Sequence, residues 1–201
     1  MYEKSKQTIQ TILDAARSLF IEKNYADVTI ADIVASAEIS KGALYHHFSG
    51  KEDLYLKMMH HFLAEIQHST QAVADNSTGT CRERLSESTL NFLQLPDDLL
   101  AVLRLVRRDI NIFVDPMRDE LVRAYQQAVP EQVERIIRDG IENGEIDDVD
   151  PRILSWQLVA MVEVIIRPYS RSIIGDAEAL CEYVIRMFFD GIATKKAEHS
   201  K

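Results

Sequence analysis

The sequence is poor in residues that interrupt or cross-link a chain. Its 201 residues include 7 Gly, 5 Pro and 2 Cys. Gly and Pro fall at the ends of patterned segments, and strand-like alternation is short wherever it occurs, which argues against a sheet protein and suits a helical one. Cys81 and Cys181 lie far apart and read as isolated thiols of a reducing compartment, with a single bridge left open. Long apolar runs are missing too. The longest, residues 158–166, is broken by Glu163 and reaches about half a membrane span. The polar first ten residues lack the apolar core of a signal peptide. A cytoplasmic protein with no membrane partner is the expectation. Excess positive charge is also absent: the formal net charge is −9, which argues against a nonspecific polyanion binder. The deficit is uneven, however. Residues 1–62 carry seven Lys/Arg against eight Asp/Glu, and the remainder sixteen against twenty-four. Only the N-terminal part could tolerate a nucleic acid.

What is present is helical periodicity. Ile9, Ile12, Leu13, Ala16, Leu19 and Phe20 recur at steps of three and four, predicting a helix over 8–23. Thr29, with Asp32 three residues on, forms an imperfect capping box before a short helix with Ile30, Ile33, Val34 and Ala37 inward. Ser40 caps another short helix ending near His47, and Ser49-Gly50 breaks it. A long helix follows over 51–74, then a loop over 75–79. Further helices are expected at 81–94, 97–114, 117–143 (kinked or split at Pro130), 151–167 and 176–194. The fold class is all-α. An N-terminal three-helix domain (1–50) carries a helix-turn-helix, and a larger helical domain (51–201) serves ligand binding and dimerisation.

Residues 29–54, TIADIVASAEISKGALYHHFSGKEDL, carry the functional signal. Two short helices around a tight turn form a helix-turn-helix whose second helix can lie in a DNA major groove. Residues 39–51 hold two Lys, two His and no carboxylate, in a chain where 32 of 201 residues are acidic. A face that approaches phosphates cannot carry Asp or Glu there. Gly42 and Ala43 are small enough for close approach, Tyr45 offers a hydroxyl on a rigid ring, and Leu44 and Phe48 anchor the helix inward.

This stretch resembles the TetR family of bacterial regulators. The similarity lies in Thr29 and Ile33 in the first motif helix, the run from Ser40 to Phe48, and Lys51-Glu52-Asp53-Leu54. The resemblance implies that Thr29 and Tyr45 contact phosphates. It implies that Lys41, Gly42, Ala43 and His46, behind the Ser40 cap, approach bases or nearby backbone, and that Lys51 holds a phosphate from the start of the fourth helix. The family usually has Gly where this chain has Glu38. A left-handed backbone there would cost about 1–2 kcal/mol, and the charge would temper DNA affinity.

The C-terminal part supplies candidates for an effector site. The apolar helix over 97–113 is interrupted by Arg104, Arg107 and Arg108. Glu163 sits in an apolar run where a charge needs a partner or a polar ligand group. Arg107, Phe113, Trp156, Met161 and Glu163 are therefore the candidate ligand-binding residues, although aromatics and Met at helical spacing also read as plain core. In the last helix Glu178, Glu182, Arg186 and Asp190 form one narrow polar stripe. The wide apolar remainder, from Leu180 to Ile192, predicts a four-helix homodimer interface with the preceding helix.

The resulting expectation is a dimeric repressor that binds a palindromic DNA operator and releases it when a small-molecule effector binds, the long helix from Lys51 carrying the change. Two alternatives stay open. One is a helix-turn-helix regulator without a small ligand. The other is a helical-bundle metalloenzyme built on Glu65-Ile66-Gln67-His68, for which the second Glu-x-x-His is missing. Paired histidines 46–47 and 60–61 point to different sides of a helix and lack a ligand cluster. No catalytic triad or phosphate-cradling loop is evident. No catalytic residue, metal or cofactor is assigned.

Overall fold

The protein is described by a computed structural model that covers residues 2–192, with side chains from Ser5 onward. The regular elements among them are all helical. They are α1 (Tyr2–Glu22), α2 (Ile30–Ser36), α3 (Lys41–His47), α4 (Lys51–Asn76), α5 (Cys81–Leu93), α6 (Asp97–Asp109), α7 (Met117–Ala128), α8 (Pro130–Glu142), α9 (Pro151–Ile165), α10 (Pro168–Ile174) and α11 (Ala177–Asp190). A single 3-10 turn, Tyr25–Asp27, lies between α1 and α2.

Proline and capping chemistry explain most boundaries. Pro130, Pro151 and Pro168 each begin a helix, where the missing N–H has no intrahelical partner to lose. The helix expected over 117–143 is therefore two helices. Thr80 and Glu83 close a full capping box on α5. The helix expected over 97–114 stops at Asp109, and turns lead on to Pro116, whose ring cannot continue a helix. The expected C-terminal helix ends at Asp190, before Gly191 at φ 66°. Positions 193 and 194 of that expected span lie outside the described residues. The sequence pattern does not announce α10.

The contacts divide the chain into two compact units, and differently from a boundary at residue 50. Unit 1 comprises residues 2–68 and 95–128; unit 2 comprises 69–94 and 129–192. The division falls inside α4. The physical reason is the buried face of that helix, since Leu54, Tyr55, Met58, Met59, Phe62 and Leu63 are all core of unit 1 together with Ile12, Phe20, Ile33 and Leu44. Unit 2 is built on Leu85, Phe92, Ile136, Ile137, Leu158, Leu180 and Val184.

Part of the apolar breadth of α11 is used within its own chain. Leu180, Cys181, Val184 and Ile185 are buried within unit 2, where α11 packs on α5 and α9, while Met187, Phe188 and Phe189 are half-buried. An exposed apolar stripe also lies on α9. Ile153, Trp156, Ala160 and Val164 follow one another at steps of three and four and all face outward.

Candidate nucleic-acid interface

The helix-turn-helix is assembled by its caps. The Thr29 hydroxyl accepts from the Asp32 N–H at 3.2 Å and donates to the Asp32 carboxylate at 2.7 Å. The Thr29 N–H donates to the same carboxylate at 2.9 Å. Asp32 thus completes the box that Glu or Gln usually closes, and these hydrogen bonds hold its carboxyl below the usual range. Between α2 and α3 the chain turns through Glu38 at φ 52°. The Glu38 N–H reaches the Ala35 carbonyl and the Ile39 N–H the Val34 carbonyl, which is the Schellman closure of a helix end. That closure needs a left-handed residue, so the departure from glycine is a real local strain. Ser40 then caps α3 by accepting from the Ala43 N–H at 3.1 Å.

α3 turns Leu44 and Phe48 into the core and leaves Lys41, Gly42, Tyr45 and His46 exposed on one face. Tyr45 is 49% exposed, and the Lys41 ammonium stands 5.8 Å from its ring centre. Ala43 and His47 are half-buried at the edge of this face. The backbone of Gly42 is ordinary helix, and a Cβ there would meet only the Ser40 hydroxyl at 3.9 Å. Nothing inside the protein requires glycine, although glycine costs a helix about 1 kcal/mol relative to alanine.

Three of the expected DNA contacts are committed to the fold. The Thr29 hydroxyl is spent on the capping box and the Ser40 hydroxyl accepts from α3. The Lys51 side chain is engaged within the fold as well. Its ammonium donates to the Tyr25 carbonyl at 2.8 Å and the Val28 carbonyl at 2.9 Å, and stands 4.3 Å from the Tyr25 ring centre. The start of α4 points this cation inward because the turn at residues 25–28 leaves carbonyls without helical partners. Two of its three donors are used there.

The five candidate effector residues divide between the two units. Arg107 and Phe113 belong to unit 1, and Trp156, Met161 and Glu163 to unit 2. Phe113 is a core ring, 5.1 Å from Tyr25 and 5.2 Å from Tyr55 between centres. Arg107 is exposed, and Trp156 lies on the outward stripe of α9. Unit 2 instead contains a cavity of about 20 Å³, lined by Thr70 of α4, Ser88, Thr89 and Phe92 of α5, Val129, Val133 of α8, and Leu158, Val159 and Val162 of α9. That is room for roughly one water molecule. Its walls carry hydroxyls and no charged side chain. The signal for two of them was present, because Leu85, Ser88, Thr89 and Phe92 form one buried stripe with hydroxyls at its centre. Cys81, also buried, has its thiol pushed up to about 11 by burial and the nearby Glu145, so it stays protonated. Among the described residues no group of three or more His, Cys, Asp or Glu could hold a metal, and no helix is long and apolar enough to cross a membrane.

Comparison with known proteins agrees with this architecture. Residues 12–58 match the bacterial regulatory proteins of the tetR family, and residues 78–192 match the tetracyclin repressor-like C-terminal domain. The chain is 25% identical over 152 residues to the HTH-type transcriptional repressor DhaR of Mycobacterium sp. (strain GP1), covering 75% of this chain and 76% of that one. It is 46% identical over 52 residues to the Tn10 TetC protein of Escherichia coli, covering 26% of each. Among solved structures, the transcriptional regulator FadR of Bacillus subtilis in complex with stearoyl-CoA superposes with a TM-score of 0.77 at 18% identity, covering 92% of this chain and 99% of that one. PfmR of Thermus thermophilus gives 0.71 at 20% identity, covering 91% and 99%. The two family matches together span most of the chain, and the fold, the capped helix-turn-helix and the open face of α3 agree with them: the chain belongs to the tetR family of bacterial transcriptional regulators, which are DNA-binding proteins and not enzymes.

Proposed function

We propose that this protein is a homodimeric repressor that reads a near-palindromic operator through Lys41, Gly42, Ala43, Tyr45 and His46 and releases it when an apolar effector enters unit 2. The carrying observation is the pairing of an open, carboxylate-free face on α3 with a buried cavity in unit 2. A dimer accounts for the outward apolar stripe of α9, which a second copy would cover. Two equal reading heads imply two half-sites.

The lining of the cavity supports an effector whose body is apolar and whose buried contacts are hydroxyls. Arg107 and Glu163 are therefore not needed as its anchors. The stearoyl-CoA in complex with Bacillus subtilis FadR has an acyl chain of that chemistry. A chain of that kind is far larger than the resting cavity, so binding requires α5, α8 and α9 to separate. By linkage, effector and operator each weaken the other by the same factor. The test is a two-way titration with stearoyl-CoA as probe, against protein with and without operator. Equal factors in both directions support the reading, and mutual indifference overturns the effector part. Trp156→Glu with Val164→Glu should yield folded monomers in sedimentation. A double variant that stays dimeric places the interface elsewhere.

A further inference from the structure

Asp109 is the last residue of α6, and it is 1% exposed. Arg108 grips its carboxylate with two hydrogen bonds, Nε at 2.6 Å and a terminal nitrogen at 2.8 Å. Neighbours in sequence do not face each other along a helix. These two meet because α6 ends there. The same terminal nitrogen of Arg108 donates to the Phe20 carbonyl of α1 at 3.0 Å, and the Tyr55 hydroxyl of α4 donates to Asp109 at 2.8 Å. Three helices of unit 1 thus meet at the Arg108–Asp109 pair. Phe20 lies in the last turn of α1, where carbonyls lack helical partners and the helix dipole favours a cation.

The cluster continues toward the reading head. The Tyr55 ring is edge-on to Phe20 at 4.8 Å and to Tyr25 at 5.1 Å. Tyr25 belongs to the turn whose carbonyls Lys51 holds, and Val28, the second of those acceptors, directly precedes Thr29, the cap of α2. An unbroken series of contacts therefore runs from the end of α6 to the first residue of the helix-turn-helix.

We propose that Arg108, Asp109 and Tyr55 are positioning residues for DNA binding, a joint that holds the start of α2, and with it α3, at one angle to α6. None of them belongs to the exposed face of α3. The proposal rests on the DNA-binding reading above. A merely stabilising cluster predicts a uniform loss of stability on mutation, with unchanged DNA selectivity. A joint predicts relaxed geometry at the reading head. Tyr55→Phe isolates the question, because it removes one hydroxyl, keeps the ring, and leaves Asp109 paired with Arg108.

The experiment uses the full chain. Random-sequence enrichment with wild-type protein supplies the duplex. Affinity is then measured for that duplex and for one lengthened at its centre by one base pair, with the active fraction fixed by stoichiometric titration. Amide hydrogen exchange is followed over residues 24–48 without DNA. Tyr55→Phe should titrate as fully active, bind the selected duplex roughly five- to tenfold more weakly, narrow its preference over the lengthened one, and exchange faster in α2 and α3 but not in unit 2. Asp109→Asn should shift each readout further in the same direction. If it does not fold, Tyr55→Phe decides alone. Wild-type spacing preference and exchange in Tyr55→Phe would overturn the joint. If the wild type enriches no duplex, the DNA-binding reading fails, and hydrogen exchange still decides whether the cluster holds α2 and α3.

Discussion

Unit 1 and unit 2 are both helical bundles with apolar cores, but the polar residues they bury differ: the carboxylate of Asp109 in unit 1, and the neutral Thr70, Ser88, Thr89, Gln132 and Ser155 in unit 2. In unit 1 the buried carboxylate of Asp109 has Arg108 and Tyr55, and the Lys51 ammonium has two carbonyls. Four aromatic rings, Phe20, Tyr25, Tyr55 and Phe113, pack between these clamps. Burial and the adjacent Asp109 push the Tyr55 phenol above its ordinary range, so its hydroxyl remains a donor. In unit 2 the buried hydroxyls of Thr70, Ser88 and Thr89 border a void. Of its long-range pairs, Arg82–Asp190 and Arg135–Asp75 sit at the surface, where ion pairs contribute little, and Arg84–Asp139 is part-buried. A close-packed interior transmits geometry, whereas a void forfeits contacts and leaves room for a ligand to replace them. The part that carries the reading head is clamped around one buried carboxylate, and the part proposed to admit an effector holds a water-sized cavity lined by apolar side chains and neutral hydroxyls.

The largest expected effect tests the clamp. Lys51→Met keeps the apolar stem and removes two charge-assisted hydrogen bonds, so stability should fall by about 2–4 kcal/mol. Because both bonds lie inside unit 1, the salt dependence of DNA binding should stay as in the wild type. Denaturant titration and affinities at several salt concentrations check this. A salt slope shallower by about one unit, with stability intact, would return Lys51 to the phosphate backbone.

Next is the same methylene added to each unit. Val162 borders the cavity of unit 2, and Val28 is fully buried in unit 1. Val162→Ile should raise stability by up to about 0.8 kcal/mol, the value of one buried methylene. Val28→Ile should lower it by about 1–3 kcal/mol through overpacking. Val162→Ile should also weaken binding of the stearoyl-CoA probe. Equal signs for the two changes in chemical denaturation would remove the contrast between the units.

Gly42→Ala separates folding from recognition within unit 1. The open space around its Cβ position predicts a gain of about 1 kcal/mol in stability. If the α3 face closes on DNA at this point, the same methyl group weakens operator binding. Thermal unfolding and an affinity measurement give the two signs. A stabilised variant with unchanged affinity would mean that the DNA stands away from Gly42.

Much of this is legible in the chain. Helix ends at Thr29, Ser40, Pro130 and Pro151 are set by local chemistry, namely caps and missing N–H groups, so short windows of sequence reveal them. Family membership is legible for the same reason, because the motif is nearly contiguous. What escapes depends on distant partners. Lys51 beside Glu52 looks like a surface cation until the carbonyls of Tyr25 and Val28 are known to stand over it. Arg107, Phe113, Trp156, Met161 and Glu163 are suited to a ligand by residue type, and type does not say to which of two units a residue belongs. The apolar breadth of α11 likewise does not distinguish a partner within the chain from a second copy.

The smallest expected effect concerns Glu38, where the sequence departs from the family's glycine and the backbone keeps the glycine conformation. At φ 52° a residue with a Cβ is strained by about 1–2 kcal/mol, which glycine avoids. Glycine in turn loses more freedom on folding, by about 0.5–1 kcal/mol. The net gain for Glu38→Gly should be about 0.5–1 kcal/mol. The electrostatic consequence has the same sign for function. Glu38 is exposed, two residues before the Ser40 cap of α3. Removing its charge relieves repulsion of the phosphate backbone, so the variant should bind DNA more tightly, most clearly at low salt where screening is weak. Glu38→Gln keeps the strained backbone and removes only the charge. If it reproduces the gain in affinity but not the gain in stability, strain and charge at this turn are separable. If neither variant changes affinity at low salt, Glu38 lies outside the electrostatic reach of the operator, and glycine's usual presence at the turn is a matter of backbone geometry alone.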